Sequence, residues 1–193
     1  MAVTLSVSEV RQALVTGRGG GSMGNGAPST PEVGRMFHAV LAGLLGSESP
    51  CRLAEVLRDE DADLDVWRAS VRTAAYDDLL GPQLTRQAKA LRGRGTEVCH
   101  LWTAVEEACG WLCELWSQLH ASGIVGDRAQ ACFAAERSVI REIRKPGWRE
   151  AVAVVGQLDA LVQIPESGRT CVLEWKLGQT SPEVDLAQAS LYQ

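Results

Sequence analysis

With 193 residues, 46% of them hydrophobic, the chain is long enough to bury one sizeable core. A formal charge of −5 argues against a protein that binds nucleic acid over its whole surface, and no apolar run is long enough to span a bilayer. The first residues, MAVTLSVSEV, carry no signal-peptide pattern, and six cysteines without one point to reduced thiols, so a cytoplasmic protein is expected.

In chain order, Gly17 to Ser29 forms a glycine-rich flexible loop that lacks the GK[ST] ending of a phosphate-binding Walker loop, so ATP binding is not indicated. Thr30 and Pro31 then signal a helix start for TPEVGRMFHAVLAGLL. Val33, Met36, Phe37, Val40, Leu41 and Leu44 line its apolar side. His38 sits at the edge of that stripe, where a histidine is more often structural than a metal ligand.

Between Pro50 and about Ser122 the pattern predicts helices only: Leu53 to Arg58, Leu64 to Leu79, Leu84 to Leu91 and Glu97 to His120. Gly81 and Pro82 are expected to break the middle pair. The last helix carries a continuous stripe that includes Leu101, Val105, Cys109, Leu112, Trp116 and Leu119. Cys99, Cys109, Cys113 and Cys132, with His100 and His120, match no strong zinc spacing. Buried core thiols are the expectation.

From Arg128 to Arg149, six basic residues (Arg128, Arg137, Arg141, Arg144, Lys145, Arg149) face two acidic ones, a local net of +4. The segment leads into the next strand and suits phosphate contact, Arg141, Arg144 and Lys145 above all. A solvated helix face explains the charge as well.

Val152 to Lys176 reads as two strands joined by a short turn. Even positions of the first, Val152, Val154, Gly156, Leu158, Ala160, Val162 and Ile164, form an apolar core face, and odd positions include Gln157, Asp159 and Gln163. The second strand inverts this, with Cys171, Leu173, Trp175 and Leu177 apolar and Thr170, Val172, Glu174 and Lys176 opposite. One shared core requires odd residues of the first strand to pair with even residues of the second. A turn of Pro165 to Gly168, or of Glu166 to Arg169, satisfies this and sets Asp159 opposite Glu174 or Lys176. Two readings fit that cluster: a cross-strand salt bridge, or carboxylates that hold a hard divalent cation beside a lysine that assists an attacking water.

After Lys176, Ser181 is a plausible N-cap, with Pro182 and Glu183 suited to the first turn. A helix from there puts Gln188 and Tyr192 on one face.

In order, the chain carries His38 in GRMFHAVL, Asp159 in GQLD, Glu174 and Lys176 in EWK, and Gln188 and Tyr192 in QASLY. This succession resembles the RecB-like branch of the PD-(D/E)xK nuclease superfamily. LSVSEVRQAL looks like the first helix of such domains, and Glu136 lies where many members have a glutamate. The resemblance implies an α/β, restriction-endonuclease-like core with a small mixed central sheet flanked by helices, plus an all-helical insert walling the substrate cleft. It divides residues 1–48 (N-terminal helices, glycine-rich loop and histidine motif), 49–125 (helical insert) and 126–193 (catalytic core) within one domain. It implies Mg2+ or Mn2+ held by His38, Asp159, Glu174 and the backbone carbonyl of Trp175, with Asp159, Glu174 and Lys176 catalytic. Gln188, Tyr192 and Arg35 would hold the strand or buttress the site. DNA, single- or double-stranded, is the implied substrate, in repair, recombination or antiphage and CRISPR defence, with a helicase or other subunit as partner. No cysteine follows Lys176, so the iron–sulfur arrangement of some members is not expected. The chain stops one residue after Tyr192, where these domains usually continue, so it looks like a fragment of a larger protein.

Overall fold

The computed structural model describes residues 3–6, 31–59, 61–164 and 168–177. The glycine-rich loop, the helix expected after Ser181 with Gln188 and Tyr192, and most of LSVSEVRQAL lie outside the described residues. Leu5 and Ser6 of that last stretch are strand, not helix, because the backbone of Val3–Ser6 (β1) is recruited into the sheet.

Pro31 opens helix α1, Pro31–Leu45, where its missing N–H costs nothing. The expected stripe is buried: Val33, Met36, Phe37, Val40, Leu41 and Leu44, with Leu45 added. Short helix α2 (Leu53–Val56) follows, then α3 (Leu64–Ala74), whose N-cap Asp63 accepts a 2.9 Å hydrogen bond from the Val66 N–H.

The expected break at Gly81 and Pro82 does not occur. Helix α3 widens into a π-helical segment, Ala75–Leu80, and runs directly into α4, Gly81–Gln87. The Gly81 N–H bonds the Tyr76 carbonyl five residues back, and Pro82 then falls in the first turn of α4, where no backbone donor is required. Glycine is needed here, since a Cβ on residue 81 would lie 2.9 Å from the Tyr76 oxygen. Helix α4 also starts and ends earlier than the expected Leu84 to Leu91, giving way to turns after Gln87.

Helix α5, Gly95–Ala121, buries Leu101, Val105, Ala108, Cys109, Leu112, Cys113, Trp116 and Leu119. Burial pushes the Cys109 thiol up to about 12 and Cys113 to about 11, so both stay protonated as small apolar groups of the core. No helix among the described residues is long and apolar enough to cross a membrane.

After α6 (Gly126–Gln130) come strands β2 (Phe133–Ile143), β3 (Val152–Ile164) and β4 (Arg169–Leu173). The basic segment is therefore largely a strand rather than a helix face, and Val152 begins the third strand in chain order. Polar residues dominate β2 beyond Ala135 because most of that length is exposed, which removes the alternation that would mark it.

The four strands form one mixed sheet. Strand β2 runs antiparallel to β3 along nearly its full length. The other edge of β3 is shared, with β1 parallel to Val152–Val155 and β4 antiparallel to Ala160–Ile164. Gly156 to Asp159 lie in the gap between these two partners. Ile164 pairs with Arg169, the register whose parity was expected of the hairpin, and residues 165–167 lie outside the described residues. Val154, Leu158, Ala160 and Val162 are buried, while Gln157 and Gln163 are exposed. Cys171 departs from the expected buried face and is exposed near the start of this edge strand.

The core joins α1, α3 and α5 to the sheet through Phe133, Ala160 and Val162, with Trp116 stacked on Phe133 at 6.4 Å. The architecture is α/β, as expected, with helices flanking a small mixed sheet. One polar side chain braces it. Gln130, 2% exposed, donates to the Leu45 carbonyl at the end of α1 (2.8 Å) and accepts from the Ala54 N–H of α2 (3.0 Å).

Candidate functional site

Helix α1 and strand β3 bring His38 and Asp159 together. His38 Nδ1 stands 2.8 Å from Asp159 Oδ1, and the Trp175 N–H donates to Asp159 Oδ2 at 2.7 Å. Both carboxylate oxygens are thus held by groups from different elements. The hydrogen bond to Asp159 raises the His38 pKa above its ordinary value, with the Asp159 and Glu174 charges adding to it, against burial and the Lys176 charge.

The β3–β4 register explains why the chain turns toward Asp159. Ala160 pairs with Leu173, so Glu174 would oppose Asp159 if the ladder continued. It ends at Leu173 instead, and the following backbone N–H finds the Asp159 side chain. The Trp175 ring packs toward the helices, in T-shaped contact with Trp111 at 5.6 Å. Lys176 Nζ lies 2.6 Å from Glu174 Oε1, and both side chains are partly buried.

The β2 side is irregular at the same level. The register between β2 and β3 passes over Glu136 and Asp159, and Glu136 has φ +49, the single positive value among described non-glycine residues. Such backbone costs on the order of 1–3 kcal/mol and concentrates at functional sites. An open groove lined by Ala42, Gly46, Ser49, Ala135, Glu136 and Arg137 borders this point.

A family model described as the PD-(D/E)XK nuclease superfamily matches residues 14–193. The chain belongs to the PD-(D/E)XK nuclease superfamily. No curated protein and no solved structure gives a match. Membership makes it a nuclease-family domain that acts on nucleic acid, in a superfamily whose members generally use divalent metal ions.

A hard cation takes oxygen donors, and the carboxylates of Asp159 and Glu174 and the Trp175 carbonyl are of that kind, with the His38 imidazole 2.8 Å from Asp159. These residues fit the group by chemistry. Among the described residues no three His, Cys, Asp or Glu side chains already form a cage. Atoms a cation would take are engaged with each other, His38 with Asp159 and Glu174 with Lys176.

The other sequence-predicted residues are more scattered. Arg35 lies one turn before His38, exposed, and bonds Glu32 at 3.1 Å and the Pro31 carbonyl. Arg141, Arg144 and Lys145 lie at the far end of the β2–β3 hairpin from Asp159, Arg141 opposite Val154 and the other two beyond the last strand pair. They cannot touch the same phosphate as Lys176, because strand rise separates them by roughly 17 Å or more. Gln188 and Tyr192 lie outside the described residues. Two features escaped the sequence reading. The Trp175 N–H has no side-chain signal, and the bracing role of Gln130 requires knowing that the ends of α1 and α2 meet.

Proposed function

We propose that this nuclease-family domain is a RecB-like, metal-dependent hydrolase of DNA phosphodiester bonds. It works in the cytoplasm in repair, recombination or antiphage and CRISPR defence, alongside a helicase or another subunit. The observation that carries this reading is the Asp159 carboxylate, bonded by His38 on one oxygen and the Trp175 N–H on the other, with the Glu174–Lys176 pair next along the chain.

His38, Asp159, Glu174 and the Trp175 carbonyl hold Mg2+ or Mn2+ in this reading. When bound, the cation neutralises charge at the scissile phosphate and makes water a better nucleophile. Lys176 orients the attacking water and stabilises the negative charge that develops on phosphorus oxygens, and Glu174 holds the ammonium in place. Asp159 keeps the imidazole aligned through its own hydrogen bond. Gln188, Tyr192 and Arg35 grip the strand, and the helical insert of residues 49–125 walls the cleft.

One observation favours a second reading, a catalytically silent module that binds nucleic acid or scaffolds a helicase: His38 is bonded to Asp159 and Glu174 to Lys176, so these side chains already satisfy one another. Cleavage of end-labelled single- and double-stranded DNA, linear and circular, with magnesium or manganese separates the two. The first reading expects metal-dependent cutting that falls by at least about 100-fold in Lys176→Ala and Glu174→Ala. Cutting that persists in both variants sinks it. A wild-type chain that binds these DNAs without cutting them supports the second.

A further inference from the structure

The β2–β3 connection, Arg144 to Glu150, is exposed at every position and reads RKPGWRE. It is nevertheless ordered by local chemistry. The Trp148 N–H donates to the Lys145 carbonyl at 3.1 Å, Pro146 and Gly147 occupy the two central positions, and Gly147 has φ +88. This is a type II turn, in which proline presets the first corner and only glycine readily accepts the second. The turn brings the Lys145 ammonium over the Trp148 ring, 5.7 Å from its centroid. Trp148 remains 46% exposed.

Several helix arginines, among them Arg35, Arg52, Arg68 and Arg72, bridge to carboxylates. At the tip, Arg144, Lys145 and Arg149 form no ion pair among the described residues. An exposed tryptophan among three unneutralised cations, on a chain of net charge −5, is complementary to an anion that carries flat apolar rings. Within a nuclease family that ligand is a nucleic-acid strand, and a ring face can stack only on a base that is out of its duplex.

We propose that the Lys145–Trp148 turn is a stacking contact for an unpaired DNA base, remote from the bond that is cut, and that it gives the protein a preference for single-stranded DNA. The inference rests on the nuclease reading above and names its substrate class. Val152 and Asp159 are the two ends of the relevant stretch of β3, and seven residues at strand rise cover about 23 Å. A strand stacked at about 3.4 Å per nucleotide covers that span with about seven nucleotides, and a more extended one with fewer.

The test is fluorescence anisotropy in a chelator, so that binding is read without cutting, on labelled DNA. The probes are a single strand of about 20 nucleotides, one of about five, and a duplex of about 20 base pairs. Trp148→Ala should bind the long single strand about tenfold more weakly, and Trp148→Phe should recover most of that loss. The duplex should bind both variants as it binds the wild type, and the short strand, whose bases are also unpaired, should share the loss in Trp148→Ala. Lys145→Ala and Arg149→Ala should each lower the salt dependence of long-strand binding by about one ion. Equal affinity of wild type and Trp148→Ala for the long strand overturns the inference, as does an equal loss on all three DNAs. Equal affinity would leave the tip to a protein partner. If the wild type cuts DNA while Trp148→Ala binds normally, only the stacking contact fails. If the wild type neither binds nor cuts any of these DNAs, the nuclease reading fails with it.

Discussion

His38 and Asp159 come from different elements and meet at 2.8 Å, the imidazole of a helix against a carboxylate of the central strand. Because the carboxylate raises the imidazole pKa, this contact is linked to pH. A raised folded-state value means the contribution to stability is fully present below the ordinary value of 6.5. It is lost as pH rises through the folded value. Metal-free wild type should therefore exceed His38→Ala in melting temperature by more at pH 5.5 than at pH 8, in paired thermal melts. A difference that grows toward alkaline pH would contradict the assignment. In the proposed reading a cation takes the His38 nitrogen in place of that proton, so manganese affinity measured by calorimetry should rise over the same interval.

Gln130 should matter out of proportion to its place outside the site. Replacing it with alanine leaves the Leu45 carbonyl and the Ala54 N–H without their partner in a buried setting. Unmet groups of this kind cost about 1–3 kcal/mol each. Urea unfolding of Gln130→Ala should show a loss of about 2–4 kcal/mol, and a loss below about 0.5 kcal/mol would mean that water takes over both bonds.

Glu136 predicts the opposite sign. Glycine adopts φ near +49 at less cost than glutamate, so Glu136→Gly should stabilise the fold by about 1 kcal/mol in the same assay. Destabilisation would show that the Glu136 side chain repays the backbone cost.

Thiol chemistry checks the core. In the folded protein Cys99 and Cys171 should react readily with an aromatic disulfide reagent, being exposed. Cys109 and Cys113 should react only on unfolding, since burial holds both thiols protonated. Fast native-state labelling of either would place α5 differently.

Much of the site was legible because its parts are periodic. The alternation through Val154, Leu158, Ala160 and Val162 marks β3, and the parity of a four-residue turn puts Asp159 beside the EWK motif. Pro31 and the stripe from Val33 to Leu44 mark the helix that carries His38. What stayed hidden depends on tertiary context. Strand β2 has wet surfaces over most of its length, so nothing in its residues alternates. Gly81–Pro82 ordinarily ends a helix, and only the π-turn before it lets the helix continue. The basic run was visible as charge, but its concentration on a turn far along the hairpin was not, because that depends on where β2 ends.

The shared edge of β3 has a mechanical consequence. A parallel neighbour holds one half of that edge and an antiparallel neighbour the other, and Asp159 stands where they part. A sheet with such a seam can spread there without unzipping either ladder. At the seam, the Trp175 N–H on the Asp159 carboxylate ties the segment after β4 to the central strand. Asp159 is therefore the latch of the crevice, and anything that draws on its carboxylate oxygens would loosen the seam.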